Sequence, residues 1–158
     1  MNFKNKTLEN IFRSFEWGRN NTILLFEDAV KSGQLDYKPN TSTQHSVLYQ
    51  FQCIVTTTDA RIRKLSNDPN TKFGILIKQN ETILKEDIET EEVKELLVEG
   101  TTKLEDLLKD FDVLKTEENI LAIQSLINHE YLHQGQLIVL FREAGVDFPQ
   151  RFKEAWDL

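Results

Sequence analysis

The sequence predicts an all-α chain folded as a four-helix bundle, and three observations carry that expectation. Breaks are scarce, with only 6 Gly and 3 Pro in 158 residues, too few to punctuate many short strands. Apolar residues recur at steps of three and four over four long stretches, the period of a helix that buries one face. Clusters of Ser, Thr, Asn, Asp, Gly and Pro separate those stretches. The length suits one domain, residues 1–158, with one core.

The first stretch predicts a helix from about Thr7 to Lys31, with Leu8, Ile11, Phe12, Phe15, Phe26, Ala29 and Val30 on its apolar stripe. Thr7 is the expected N-cap. Ser32-Gly33 is the expected stop, because Gly33 tolerates a left-handed backbone. Gly18 and Asn20-Asn21-Thr22 are poor helix formers and predict a kink or break midway. Residues 34–44 connect to the next helix, since Pro39 cannot continue one and Asn40-Thr41-Ser42-Thr43 is turn chemistry. The second helix is expected over Ser46–Leu65, burying Val47, Leu48, Phe51, Ile54, Val55, Thr58 and Ile62. Thr56-Thr57-Thr58 sit in its middle although they are weak helix formers, so packing or a site must hold them there.

Residues 66–89 show no helical period. Asn67-Asp68-Pro69-Asn70 is a turn, and Phe73-Gly74-Ile75-Leu76-Ile77 is a strand-like piece or a covering loop. Long segments of this kind often serve as lids. The third helix starts at Thr90 as cap, with Glu91 and Glu92 at its positive end. Its stripe runs through Val93, Leu96, Leu97, Gly100, Leu104, Leu107, Leu108 and Phe111. After a link at Phe111–Lys115, the fourth helix covers Glu117–Ala144, with Thr116 as cap and Gly145 as the residue after its end. Ile120, Ile123, Ile127, Leu137 and Phe141 form its apolar face. The tail, Arg151–Leu158, is expected to dock through Phe152, Trp156 and Leu158.

Composition removes several function classes. The net charge of −7 repels phosphate backbones, and no Lys/Arg cluster interleaved with aromatics offsets it, so nucleic acid is not the expected partner. No apolar run has membrane-spanning length and the N-terminus carries no leader pattern. The single Cys excludes an internal disulfide and fits a reducing compartment. The expected setting is the cytoplasm, without a membrane.

The chemistry concentrates in the fourth helix. It carries two of the chain's 3 histidines, His129 and His133. At i and i+4 both imidazoles share one helix face about one turn apart, where a single divalent metal can take a nitrogen from each. The alternative is two histidines spaced by four for no chemical reason. The packing of the helix into a bundle favours the metal, because bundles build their metal sites from inward-facing polar residues. His129-Glu130-x-x-His133 also spells the zinc-protease pattern, in which the Glu is the general base. The usual continuation fails, with Gln136 where a Gly should stand and Val139 where a third His should stand. Glu154 is a weak carboxylate candidate beyond Pro149. Glu130 is more simply a polar support behind the ligands, and Gln136, one turn past His133, is a second such support. No Ser-His-Asp set is apparent, so no catalytic residue is assigned.

The C-terminal third, His129-x-x-x-His133 followed by Gly135-Gln136, Phe141-Arg142, Gly145, Pro149 and Trp156-Asp157-Leu158, resembles the DinB/YfiT-like family of metal-dependent four-helix-bundle proteins. Leu35-Asp36-Tyr37-Lys38-Pro39 resembles the family's entry into its second helix. The resemblance implies an up-down-down-up bundle with one divalent metal, Zn or Ni, between helices two and four. It further implies a metal-dependent enzyme, a thiol-dependent transferase or a hydrolase, acting on a small molecule with mycothiol, bacillithiol or a similar low-molecular-weight thiol, and a homodimer. The chain departs from the family at the first ligand, a His inside helix two. The family's spacing falls on Cys53, whose thiolate is a sound zinc ligand. His45, at the start of that helix, is the alternative. Gln50, Gln52 and Asp59 are lesser candidates. Against the enzyme stands a non-catalytic, stress-related binding or dimerisation bundle with an incomplete site and no metal. A zinc protease, resting on Glu130 alone, ranks last.

Overall fold

A computed structural model of the chain describes residues 3–40, 45–66, 88–110 and 117–158. Every regular element among them is a helix: α1 (Lys6–Ser32), α2 (Val47–Ser66), α3 (Thr90–Asp110), α4 (Glu117–Ala144) and the short α5 (Gln150–Trp156). The four long helices pack as a bundle in which α1 and α2 each lie against both α3 and α4. None of the described helices is long and apolar enough to cross a membrane.

Helix ends follow local chemistry. α1 is capped by Asn5, not by Thr7 as expected: Asn5 Oδ1 accepts from the amides of Thr7 at 2.8 Å and Leu8 at 3.2 Å. Asn outranks Thr as a cap, which sets the start one residue early. Gly33 closes α1 with φ of 68° and Gly145 follows α4 with φ of 70°. Thr90 is the first helical residue of α3, not its cap, and Ser46 Oγ accepts from the Tyr49 amide at 3.2 Å at the start of α2. The lid or strand reading of residues 67–87 and the link around Phe111–Thr116 lie outside the described residues.

The core forms two apolar clusters. One gathers Leu8, Phe12 and Phe15 of α1, Ile62 and Leu65 of α2, Leu104 and Leu108 of α3, and Ala122, Ile123 and Leu126 of α4. The other gathers Leu25, Phe26 and Ala29 of α1, Val47, Phe51, Ile54 and Val55 of α2, Val93 and Leu97 of α3, and Leu137, Leu140 and Phe141 of α4. α5 closes that end, with Phe152 buried and stacked between Phe148 and Trp156 at 5.8 and 5.9 Å. Three expected core residues face outward: Val30 is 47%, Ile120 42% and Leu158 40% exposed. Each lies in the terminal turn of its segment, where the apolar stripe outruns the layer it packs on.

Between the clusters lies a polar layer, and it removes the expected kink in α1. The helix runs unbroken through Gly18 and Asn20-Asn21-Thr22, and tertiary contacts use Gly18 and Thr22. Arg19, fully buried, pairs with Glu130 of α4 through two bonds, Nε to Oε1 at 2.9 Å and Nη2 to Oε2 at 2.7 Å. It also donates to Leu97 O at 3.0 Å and to Thr58 Oγ1 at 2.7 Å, so one guanidinium ties all four long helices. Thr22 donates to Glu130, and Gln134 Nε2 donates to Gly18 O at 2.7 Å. The glycines are spatial requirements here. A Cβ on Gly100 would stand 3.0 Å from Thr58 Cγ2 and 3.5 Å from the guanidinium, and one on Gly18 would stand 3.3 Å from the Tyr131 ring. A buried ion pair needs this degree of satisfaction, since the low dielectric makes any unpaired charge expensive.

Candidate metal centre

The other face of α4 at the same level points toward α2. Glu130 faces α1, so its neighbour His129 and the residue one turn on, His133, turn toward Cys53 and Thr57. His133 Nε2 and His129 Nε2 lie 3.1 Å apart, and Cys53 Sγ lies 3.7 Å from His129 Nε2. The three donor atoms all fall within 4.8 Å of one another. For a tetrahedral zinc with Zn–N of about 2.0 Å and Zn–S of about 2.3 Å, donor separations come to about 3.3 Å for N···N and about 3.5 Å for S···N. The His129–His133 and Cys53–His129 separations are close to these values, so Cys53, His129 and His133 form a cluster able to hold one metal ion.

Local chemistry aims the donors. Gln50 Oε1 lies 2.6 Å from His133 Nδ1. A carbonyl oxygen only accepts, so Nδ1 carries the proton and the Nε2 lone pair points to the centre. Cys53 is three residues on from Gln50, which puts it one turn along the same face of α2. The threonine run is explained residue by residue. Thr56 and Thr58 return their hydroxyl protons to Gln52 O at 2.9 Å and Ile54 O at 2.8 Å. Thr57 Oγ1 stands 3.3 Å from His129 Nε2. His133 is buried, while His129 and Cys53 are half-buried.

A cleft of 570 Å³ between α2 and α4 opens beside the cluster, with Cys53, His133 and Gln50 at its inner end. Three protein donors beside an accessible space is the layout of a metal site that keeps one position for a substrate. The structure thus brings Cys53, not His45, to the histidine pair. His45 is exposed and stacks on Tyr49 at the cleft rim, with ring centroids 3.7 Å apart and planes 18° off parallel. Gln136 stands exposed on the cleft wall. Glu130 is turned away from the donors, and the two-point Arg19 pairing occupies both its carboxylate oxygens, which leaves the protease general-base role without its base. Glu154 is exposed on α5, bonded to Gln150 at 3.0 Å. Gln52 donates to Ile88 O at 3.0 Å, and Asp59 pairs with Arg63 at 3.3 Å.

Two residues carry more than their sequence context suggested. Arg19 lies within the apolar stripe of α1, four residues past Phe15 and seven past Phe12, and a charge at such a position signals a buried partner. Gln50, a lesser ligand candidate by sequence, orients a ligand instead. Comparison with protein-family models, curated proteins and solved structures finds no match to this chain.

Proposed function

We propose that the chain is a DinB/YfiT-like protein that holds one divalent metal through Cys53, His129 and His133 and acts on a small molecule in the adjoining cleft. The convergence of Sγ and two Nε2 atoms at ligand spacing carries this reading. The up-down-down-up order is supported by the two apolar clusters. The early parts of α1 and α4 share one cluster with the late parts of α2 and α3, and the remaining halves share the other. A thiolate with two imidazoles suits zinc first and nickel second. When bound, such an ion supplies Lewis acidity to a donor entering from the cleft. The chain's own residues do the positioning: Gln50 fixes the His133 tautomer, Thr57 stands against His129, and α4 is locked in rotation by Glu130. A thiol-dependent transfer or a hydrolysis, in a homodimer in the reducing cytoplasm, is the activity that the sequence resemblance favours.

The test is metal content after growth with zinc or nickel. The wild type and His45→Ala are expected to carry near one equivalent, and Cys53→Ala to lose it. Metal lost from His45→Ala but kept by Cys53→Ala would reverse the ligand assignment. A second reading, a metal-free and non-catalytic bundle, is favoured by one observation: Gln50, His133, His129 and Thr57 already form a chain of polar contacts. It requires that no variant or growth condition yields bound metal.

A further inference from the structure

The cleft has a property that the metal site does not explain. Among the described residues that line it, none is Asp, Glu, Lys or Arg, in a chain of which 28% is charged. Gln50, Cys53 and His133 mark its donor end, Gln136 adds a neutral amide, and Leu132, Val139 and Leu140 supply apolar surface. Tyr49, stacked with the His45 ring, adds flat aromatic surface to the lining. Gly135 lies on the wall between Leu132 and Val139, in the middle of α4, where glycine weakens a helix relative to alanine. No described residue requires it, because a Cβ built there meets none of their atoms within 4 Å. The glycine therefore leaves free space against the α4 backbone, on the cleft side.

We propose that this space receives an uncharged small molecule with a flat, aromatic body, laid between Tyr49 and the α4 backbone at Gly135, with one polar head at Cys53 and His133. The head position rests on the metal reading above; the body position does not. The volume lies within the range of small-molecule sites. A charged body would lose its hydration against Leu132 and Val139 without a partner, whereas a ring gains by burial and by stacking on Tyr49.

The test uses three hydroxamates titrated into the full-length chain by NMR, each with zinc and after chelation: benzohydroxamate, acetohydroxamate and 4-carboxybenzohydroxamate. The ring compound is expected to bind about 10-fold or more tighter than the methyl and the carboxylated ones, with and without zinc. In Gly135→Ala the thermal midpoint is expected to rise by about 3 °C while ring binding falls about 10-fold. A merely structural glycine would not move the two readouts in opposite directions. Equal affinities for the three probes, or unchanged ring binding in Gly135→Ala, overturn the proposal. A change of sedimentation in that variant without a change in ring binding also overturns it, and assigns the space to a second copy of the chain. If ring preference holds but zinc alters no affinity, the cleft stands and the metal reading fails.

Discussion

The two faces of α4 at its midpoint carry the same kinds of residue to opposite ends. Toward α1, Glu130 and Gln134 enter a layer closed to solvent, where Arg19, Thr22, Thr58 and a backbone carbonyl surround one carboxylate–guanidinium pair. Toward α2, His129 and His133 meet Cys53, and the donors converge on a point beside an open cleft. Charge on the first face is neutralised within the protein, which makes that layer architecture. On the second face donor atoms of the same sign of dipole are pressed together, which favours a cation between them. The lesson is that burial of polar groups does not by itself mark a site; direction and access do.

The comparison breaks most severely at Glu130. Replacing it with Ala leaves the Arg19 charge buried without its partner, and the expected loss of stability is about 3–5 kcal/mol in urea unfolding. The double change Arg19→Met with Glu130→Leu is expected to recover most of that loss, because it removes both charges. If Glu130→Ala instead keeps its stability and loses only metal, the closed face belongs to the site and the distinction fails. The next effect is on the open face. His129→Ala and His133→Ala are each expected to abolish stoichiometric metal binding in elemental analysis while shifting the metal-free midpoint far less than Glu130→Ala does. Gln50→Leu sharpens the same face: it keeps all three donors but frees the His133 ring, so affinity for zinc is expected to fall by about 10–100-fold in chelator competition.

Zinc itself is a gentler probe. Binding to the folded state alone stabilises by mass action, about 2.7 kcal/mol at a free concentration one hundred times Kd, and Cys53→Ala is expected to erase that gain. The smallest effect lies away from both faces. The Lys153 ammonium, 2.7 Å from Asp147, holds that carboxyl below its usual range by hydrogen bond and then by charge. A depressed carboxylate contributes stability above its unfolded pKa and loses it as pH falls through the folded value. Acidification below the ordinary carboxylate range is therefore expected to loosen α5 slightly, read as Trp156 fluorescence, and Lys153→Ala to remove the pH dependence. Asp147 is solvent-exposed and Lys153 only half-buried, so a large transition there would contradict this account.

Much of the bundle was legible because its signals are local. Apolar steps of three and four, a Gly after α1 and another after α4, and acidic first turns in α3 and α4 need no knowledge of neighbours. The expected range of the fourth helix, Glu117–Ala144, coincides with α4. The failures have a common cause. A break was expected at Gly18 and Asn20-Asn21-Thr22 from intrinsic propensity, yet α1 is continuous, with Tyr131, Glu130 and Gln134 coming from more than a hundred residues away to meet Gly18 and Thr22. Ile120 follows the helical period but has no layer to pack on.

The candidate centre divides in the same way. By itself the sequence determined that His129 and His133 share a helix face, because i and i+4 spacing is a property of the helix alone. Only the tertiary structure decided which way that face turns, since the rotation of α4 is held by the Arg19–Glu130 pair reaching over from α1. It alone brought Cys53 and not His45 to the histidines, and gave Gln50 the task of aiming one of them. Helix period is written in neighbouring residues, whereas the packing of α2 on α4 depends on the side chains of every helix around them.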